Sequence, residues 1–346
     1  MTENNLPVTA AVITSINIPN DGMRRLAEFA GDSNANLIVI GDAKSIDHWT
    51  DFRCDFLSLD SQLNLNWKLS RSLPINSYSR KNIGYLQAFS KSTGWIYETD
   101  DDNFPISSPF LGRDLYLDCE TFSCDSDWLN IYHIFHTSSS RDHALWPRGF
   151  DMGSIFESSQ YISNGLSQIA SPIQQGLANN HPDVDALYRL LIGRDVEFEN
   201  RLPVSLLSNQ WCPTNSQSTW WHTDFFELMY LPSTCTFRLT DILRGYIATR
   251  LLRERNYFIT YHSPLVKQVR NPHNLMIDFR DELQLYENAD RIVRGLESLE
   301  LRSQPSLVAM MRTCYTYFVE LELVSEGELE LLELWVSDCN TCRSSS

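Results

Sequence analysis

No stretch of the 346-residue chain approaches the roughly 20 consecutive apolar residues that a membrane-spanning helix needs. Met1 to Pro7 are polar and carry no signal-peptide core. The expectation is a chain without a transmembrane segment, cytoplasmic or peripheral at the membrane face. Positive charge is also scarce. Lys and Arg number 28 against 44 Asp and Glu, for a net charge of −16. Such acidity disfavours nucleic acid and anionic membranes as partners. It also makes any local arginine cluster informative as a seat for an anionic ligand. Eight cysteines are scattered from Cys54 to Cys342 without a disulfide framework. Cys339-x-x-Cys342 has no second pair to complete a four-ligand zinc site, so these read as incidental thiols. Internal repeats and low-complexity linkers are absent too. What is present is ordinary globular material, 42% hydrophobic and 12% aromatic. That suffices for one large domain, or a domain with an extension.

The first hundred residues alternate in character. Residues 8–16 and 36–41 are short, β-branched runs with the look of buried strands, and 55–59 is a briefer third. Pro19-Asn20-Asp21 opens a helix over 21–30, and 79–90 has helical spacing. Residues 94–99 form another strand, which runs straight into Asp100-Asp101-Asp102. Strand, helix, strand, helix, strand implies a parallel sheet with helices on both faces. Residues 110–235 are less regular. Residues 240–253 are helical, and amphipathic helices follow from about 280, one with a capping-box start at Ser325 and Glu328.

Ligands of such sheets bind beyond the carboxyl ends of the strands. Three polar clusters fall at those ends: Thr14-Ser15, Gly41-Asp42 and the Asp100–Asp102 triplet. The triplet has two readings. It is a solvated acidic loop or helix cap, or it is a seat for a cation, because three adjacent like charges repel unless water or a cation relieves them. Mg²⁺ and Mn²⁺ take carboxylate oxygens and bridge to substrate phosphates. Arg80 and Lys81 open the helix before the triplet strand, where cations and free N–H groups could meet a diphosphate or simply face solvent. Asp42 is positioned to accept hydrogen bonds from a base or ribose.

The segments ITSINIPN (13–20), IVIGDAKS (38–45), SYSRKNIGYLQAF (77–89), IYETDDDN (96–103), WPRGF (146–150), QQGLANNHPDVDALYRL (174–190) and TFRLTDILRGYIATRLL (236–252) together resemble the STELLO-type glycosyltransferases. A weaker resemblance is to the reversibly glycosylated polypeptides, which are UDP-arabinopyranose mutases. The resemblance covers residues 10–290, and the remainder matches nothing familiar. It implies an α/β fold of GT-A type: a nucleotide-binding mixed sheet flanked by helices over residues 1–280, with a C-terminal helical extension over 281–346. It further implies Mn²⁺ or Mg²⁺ at the triplet, with Asp100 and Asp102 as ligands and Asp101 at the ribose or orienting its neighbours. Thr14, Ser15, Asp42, Lys44, Arg80 and Lys81 are then expected around the nucleotide. Plant members carry a membrane anchor and reside in the Golgi, a location not carried over to this chain.

The expected activity is transfer of a sugar from a nucleotide diphosphate donor, such as a UDP-sugar, to a glycan or glycolipid acceptor in cell-surface polysaccharide synthesis. Alternatives are a sugar-nucleotide mutase and a non-catalytic regulator of a polysaccharide synthase. Asp241 is the candidate base, with an N-cap role open to it or to Thr240. Asp183 and Asp185 border the sugar site or cap a helix begun by Pro182. Arg148 meets the diphosphate or sugar, or stacks on Trp146; in the mutase relatives an arginine of a similar segment becomes glycosylated. His262, or secondarily His273, is the candidate late histidine of the metal shell. Trp220, Trp221 and His222 suit an aromatic acceptor wall or a core. The C-terminal helices are a candidate homo-oligomer surface.

Overall fold

A computed structural model describes residues 5–45, 49, 52–91, 93–136, 145–156, 160–206, 210–272 and 274–345. His273 lies outside the described residues. The first part contains β1 (Asn5–Leu6), β2 (Val8–Thr14), α1 (Asp21–Asp32), β3 (Asn36–Ile40), β4 (Asp55–Leu57), α2 (Leu59–Leu63), α3 (Lys68–Ser72), α4 (Lys81–Phe89) and β5 (Trp95–Thr99). The middle holds β6 (Asn103–Pro105), β7 (Arg113–Asp114), β8 (Tyr116–Ser123), α5 (Ile131–Phe135), β9 (Ile162–Ala170), β10 (Ile173–Asn179), α6 (Ala186–Leu191), β11 (Val204–Leu206), β12 (Ser218–His222), α7 (Thr240–Arg253) and β13 (Ile259–Gln268). Four helices close the chain: α8 (Leu275–Asp281), α9 (Leu283–Ser298), α10 (Leu307–Glu320) and α11 (Gly327–Ser345).

The main sheet runs β4-β3-β2-β5-β12-β10-β13-β11-β8-β9, with β6 added beside β13. Strands β4, β3, β2 and β5 are parallel, and β12 joins antiparallel to β5. The parallel set carries apolar side chains on both faces because helices cover both faces. α1 opens at Asn20, whose side chain accepts from the Met23 amide at 2.9 Å. α4 packs so closely on β2 and β3 that a Cβ at Gly84 would lie 2.5 Å from Val12 Cγ1 and 2.8 Å from Ile40 Cγ1.

α7 is buried nearly all round, so no polar stripe marks it in the sequence. Arg244 on α7 donates to Glu98 on β5 at 2.6 Å, and Trp221 donates to the same carboxylate at 2.7 Å. This buried ion pair sets α7 against the sheet and aims its N-terminus at the strand ends. Trp220 and Trp221 are core residues on β12, with the Trp220 indole donating to the Pro109 carbonyl. The expected aromatic wall is therefore interior packing.

The C-terminal helices share the core of the sheet domain. Leu285, Ile292, Tyr315, Phe318 and Trp335 belong to one apolar cluster with Phe226, Tyr230 and Leu86. Trp335 stacks on Phe226 at 5.1 Å, and Asp338 accepts from the Leu69 amide at 2.9 Å at the start of α3. The apolar faces of α9, α10 and α11 turn inward, whereas α8 leaves Met276 and Ile277 exposed. The capping box at Ser325 does not form. Glu328 is drawn away to accept from the Ser233 and Thr234 amides, and the Ser325 amide donates to Thr234 Oγ1 instead. Cys339 and Cys342 are buried, and neither is joined in a disulfide. No helix among the described residues is long and apolar enough to cross a membrane.

Candidate active site

Strands β2, β3 and β5 end side by side because they are parallel and in register. Their last residues open onto a cavity of about 530 Å³ lined by Thr14, Ser15, Asp42, Lys44 and the Asp100–Asp102 triplet. The far wall comes from the β10–α6 loop and helix α6, the start of α7 and the segment after β13. It supplies Asp183, Arg189, Arg238, Asp241 and Arg270, together with Arg148. The three polar clusters expected at strand ends thus meet in one place.

The triplet fans onto three supports. Asp100 accepts from Tyr78 Oη at 2.7 Å and Lys81 Nζ at 3.2 Å. Burial pushes its carboxyl up to about 6; Lys81 opposes that shift and Asp102 adds to it. Asp101 accepts from Ser15 Oγ at 2.6 Å, Asn17 at 3.0 Å and Asn271 at 3.1 Å, tying the loop after β2 to the loop after β13. Asp102 accepts from Gln268 Nε2 at 3.2 Å on each oxygen. No three His, Cys, Asp or Glu side chains converge as a metal cage among the described residues. A Mg²⁺-type ion, however, needs only one or two carboxylates when phosphate oxygens and water complete its shell. Asp100 and Asp102 fit that requirement, since they press on each other electrostatically at the cavity wall, with Lys81 beneath Asp100.

Arg80 and Lys81 are both displaced from the expected role. Arg80 is buried and donates to Gln62 Oε1 at 2.7 Å and to the Ser70 and Leu73 carbonyls. It closes the carbonyl end of α3 and is not on the cavity wall. Lys81 is fully buried and donates to the Thr99 carbonyl at 2.7 Å, below Asp100. The reason is the close seating of α4 on the sheet, which draws its first turn inward. Lys44 is exposed at the rim and makes no ion pair among the described residues. Asp42 accepts from the Asn76 and Ser77 amides at 2.9 and 3.0 Å, so it shapes the wall as well as lining it.

Arg148, Asp183 and Asp241 form a buried triad. Arg148 reaches Asp183 at 2.9 and 2.8 Å and both oxygens of Asp241 at 3.0 Å. Burial opposes the Arg148 charge, but the two carboxylates outweigh it. Asp241 also accepts from the Ser216 amide and hydroxyl at 3.1 Å. Burial works against its charge too, yet Arg148 and Arg244 prevail and hold its carboxyl below the usual range. Asp241 does not cap α7, which starts from Leu239 without a side-chain cap. Trp146 packs edge-on against Tyr188 and donates to Asp185 at 2.5 Å, leaving Arg148 unstacked.

Two further expectations land elsewhere. Asp185 is the N-cap of α6, accepting from the Tyr188 amide at 2.8 Å, and is not on the cavity wall. α6 starts at Ala186, four residues later than a Pro182 start implies, which leaves Asp183 in the loop facing Arg148. His262 sits on β13 against Gln174 at 3.0 Å and Arg113 at 3.4 Å. Burial and Arg113 drive its basicity well down. The same strand carries Gln268 to Asp102, but six residues further on, roughly 20 Å away at strand rise. His262 is therefore not brought to the triplet.

Arg189, Arg238, Ser216 and Gln268 were not foreseen. Burial, with Arg270 and Arg238 nearby, lowers the Arg189 guanidinium to about 10. The sequence signal was the value of arginine clusters in an acidic chain, but these arginines are far apart along it.

Residues 238–344 match the family model described as STELLO glycosyltransferases. The chain is 26% identical over 347 residues to "Probable glycosyltransferase STELLO1" of Arabidopsis thaliana, covering 94% of this chain and 44% of that protein. It is 28% identical over 305 residues to "Probable glycosyltransferase STELLO2" of the same plant, covering 82% and 38%. The chain is similar to the STELLO glycosyltransferases. It spans less than half the length of these two relatives. A solved structure titled "Crystal Structure of a Mycobacterial Protein" aligns with a TM-score of 0.42 and 10% identity over 81% of this chain and 72% of that one. The family match runs through α7, β13 and all four closing helices. That corrects the expectation that the residues beyond 290 lie outside the resemblance. The match also takes in Arg238, Asp241 and Arg270 of the far cavity wall.

Proposed function

We propose that the chain is a GT-A type glycosyltransferase that moves a sugar from a nucleoside diphosphate donor to a glycan or glycolipid acceptor. The observation that carries this reading is the acidic triplet at the end of β5, facing a cavity of about 530 Å³ where three parallel strands end. The likeness to the STELLO glycosyltransferases supports it. A cavity of this size suits a nucleotide sugar. When bound, Mn²⁺ or Mg²⁺ on Asp100 and Asp102 would supply positive charge to the departing diphosphate. Lys44 adds a cation at the rim, Asp42 holds the wall for the nucleoside, and Lys81 supports Asp100 from below. Asp241 is a weak proton acceptor in this setting, because four hydrogen bonds hold its charged form. Its role is to keep Arg148 and the Ser216 loop in place against the cavity.

The test is thermal unfolding of the full chain with a panel of nucleoside diphosphates and their sugars, with and without Mn²⁺. The expected result is a rise in midpoint that needs diphosphate and metal together and that disappears in Asp102→Asn. If no nucleoside diphosphate stabilises the protein in the presence of Mn²⁺, the reading fails.

A further inference from the structure

Arg189, Arg238 and Arg270 come from three segments distant in sequence and meet on one wall of the cavity. Two of them have carboxylate partners: Arg238 Nε lies 2.7 Å from Glu282, and Arg270 Nη2 lies 2.6 Å from Asp278. Arg189 has none within ion-pair distance among the described residues; it donates to the Pro182 carbonyl at 3.0 Å. Arg189 Nε and Arg238 Nη2 are buried and have no hydrogen-bond partner among the described residues, Asp183 approaching Arg238 Nη2 only to 3.9 Å. Three guanidinium groups repel one another in a space partly withdrawn from water. Two buried donors left open beside such a cavity are the complement of a carboxylate or phosphate, which guanidinium binds in paired hydrogen bonds.

We infer that this wall is a second anion site, distinct from the donor's diphosphate seat, and that it takes a carboxylate or phosphate carried by the acceptor. This rests on the glycosyl-transfer reading for the word acceptor, though the site itself does not. The proposed carboxylates and Lys44 stand on the ends of β2, β3 and β5, whereas Arg189 belongs to helix α6 and Arg238 to the start of α7. Arg270 lies between the two groups, since its neighbour Asn271 donates to Asp101 and Asp102. In a chain of net charge −16, an anionic acceptor is otherwise repelled, so a local cationic wall is what admits it.

The experiment is calorimetric titration of the full chain with glucuronate, glycerol phosphate and, as the neutral control, glucose. Each is run alone and with UDP and Mn²⁺ saturating. At least one anionic probe is expected to bind about tenfold or more tighter than glucose with UDP and Mn²⁺ present. Arg189→Gln removes that preference, and Arg189→Lys, which keeps the charge and guards against misfolding as the cause, retains most of it. The probe that binds tells an acidic sugar from a phosphorylated acceptor. Equal binding of all three probes to the unmodified protein overturns the inference. So does a loss of UDP and Mn²⁺ affinity in Arg189→Gln as large as the loss of anion affinity, which would merge the arginines with the diphosphate seat. If UDP does not bind at all, the donor reading falls, and the titrations without UDP decide the anion site alone.

Discussion

Arg148 shows how a surface-looking motif becomes interior. In WPRGF it sits in a short Pro/Gly turn, yet its guanidinium is buried between Asp183 and Asp241. Removing one partner from a buried ion network leaves uncompensated charge, which costs about 3–5 kcal/mol. Arg148→Ala should lose that much stability in urea unfolding. Arg148→Lys should recover only part of it, because a single ammonium cannot span two carboxylates in the same geometry. Asp185 offers a pH test. Burial raises its carboxyl to about 6 from an ordinary 3.8, against the pull of Tyr188 and Trp146. Between those values the folded chain binds more protons than the unfolded chain, so this group's contribution to stability falls as pH rises from about 4 to about 6. Asp185→Asn keeps the cap and removes the titration. The difference in unfolding free energy between variant and parent should therefore change by roughly 3 kcal/mol across that window. A flat difference would show that the carboxyl titrates normally.

At the scale of elements, position depends on close approach. Gly245 lets α7 lie against the loop that presents Ser216, since a Cβ there would sit 2.5 Å from the Thr214 carbonyl oxygen. Alanine is the better helix former by about 1 kcal/mol, so propensity alone favours Gly245→Ala. Packing should reverse that sign. The variant is expected to be less stable by about 1–3 kcal/mol and to weaken nucleotide binding as the Ser216 loop moves away from Asp241. Equal or greater stability in thermal unfolding would mean that the loop yields without strain. Helix α7 also shows why periodicity could mislead: buried all round, it offers no amphipathic stripe, and its function is carried by which end faces the strands.

For the whole molecule, the boundary at residue 281 does not divide the core. Trp335, Phe226 and Tyr230 pack together across it, and Asp338 anchors α3 in the first part of the chain. Unfolding by urea should then show coincident transitions in tryptophan fluorescence and far-ultraviolet circular dichroism. Trp335→Ala should lower stability by about 3–5 kcal/mol and shift both signals together. Two separated transitions would establish an independently folding helical region. The inward-facing apolar surfaces of α9 to α11 also remove the main reason to expect self-association through them.

Local sequence determined much of the first hundred residues. The strands at 8–14, 36–40 and 95–99 and the helix from Asp21 are legible because hydrophobic runs, turn residues and caps act over a few residues. Their parallel order, and hence the meeting of Thr14, Asp42 and Asp100–Asp102, follows from the same alternation. The family likeness was likewise readable from short segments. Only the tertiary structure decided which charges face the cavity. Arg80 and Lys81 turn inward because α4 seats tightly on β2 and β3, and His262 is held about six residues too early on β13. The opposing wall is a product of folding alone, since Arg148, Arg189, Arg238 and Arg270 lie tens of residues apart and no local rule relates them. Burial then set their chemistry, because the energy of a charge depends on its neighbours in space and on the water excluded around it.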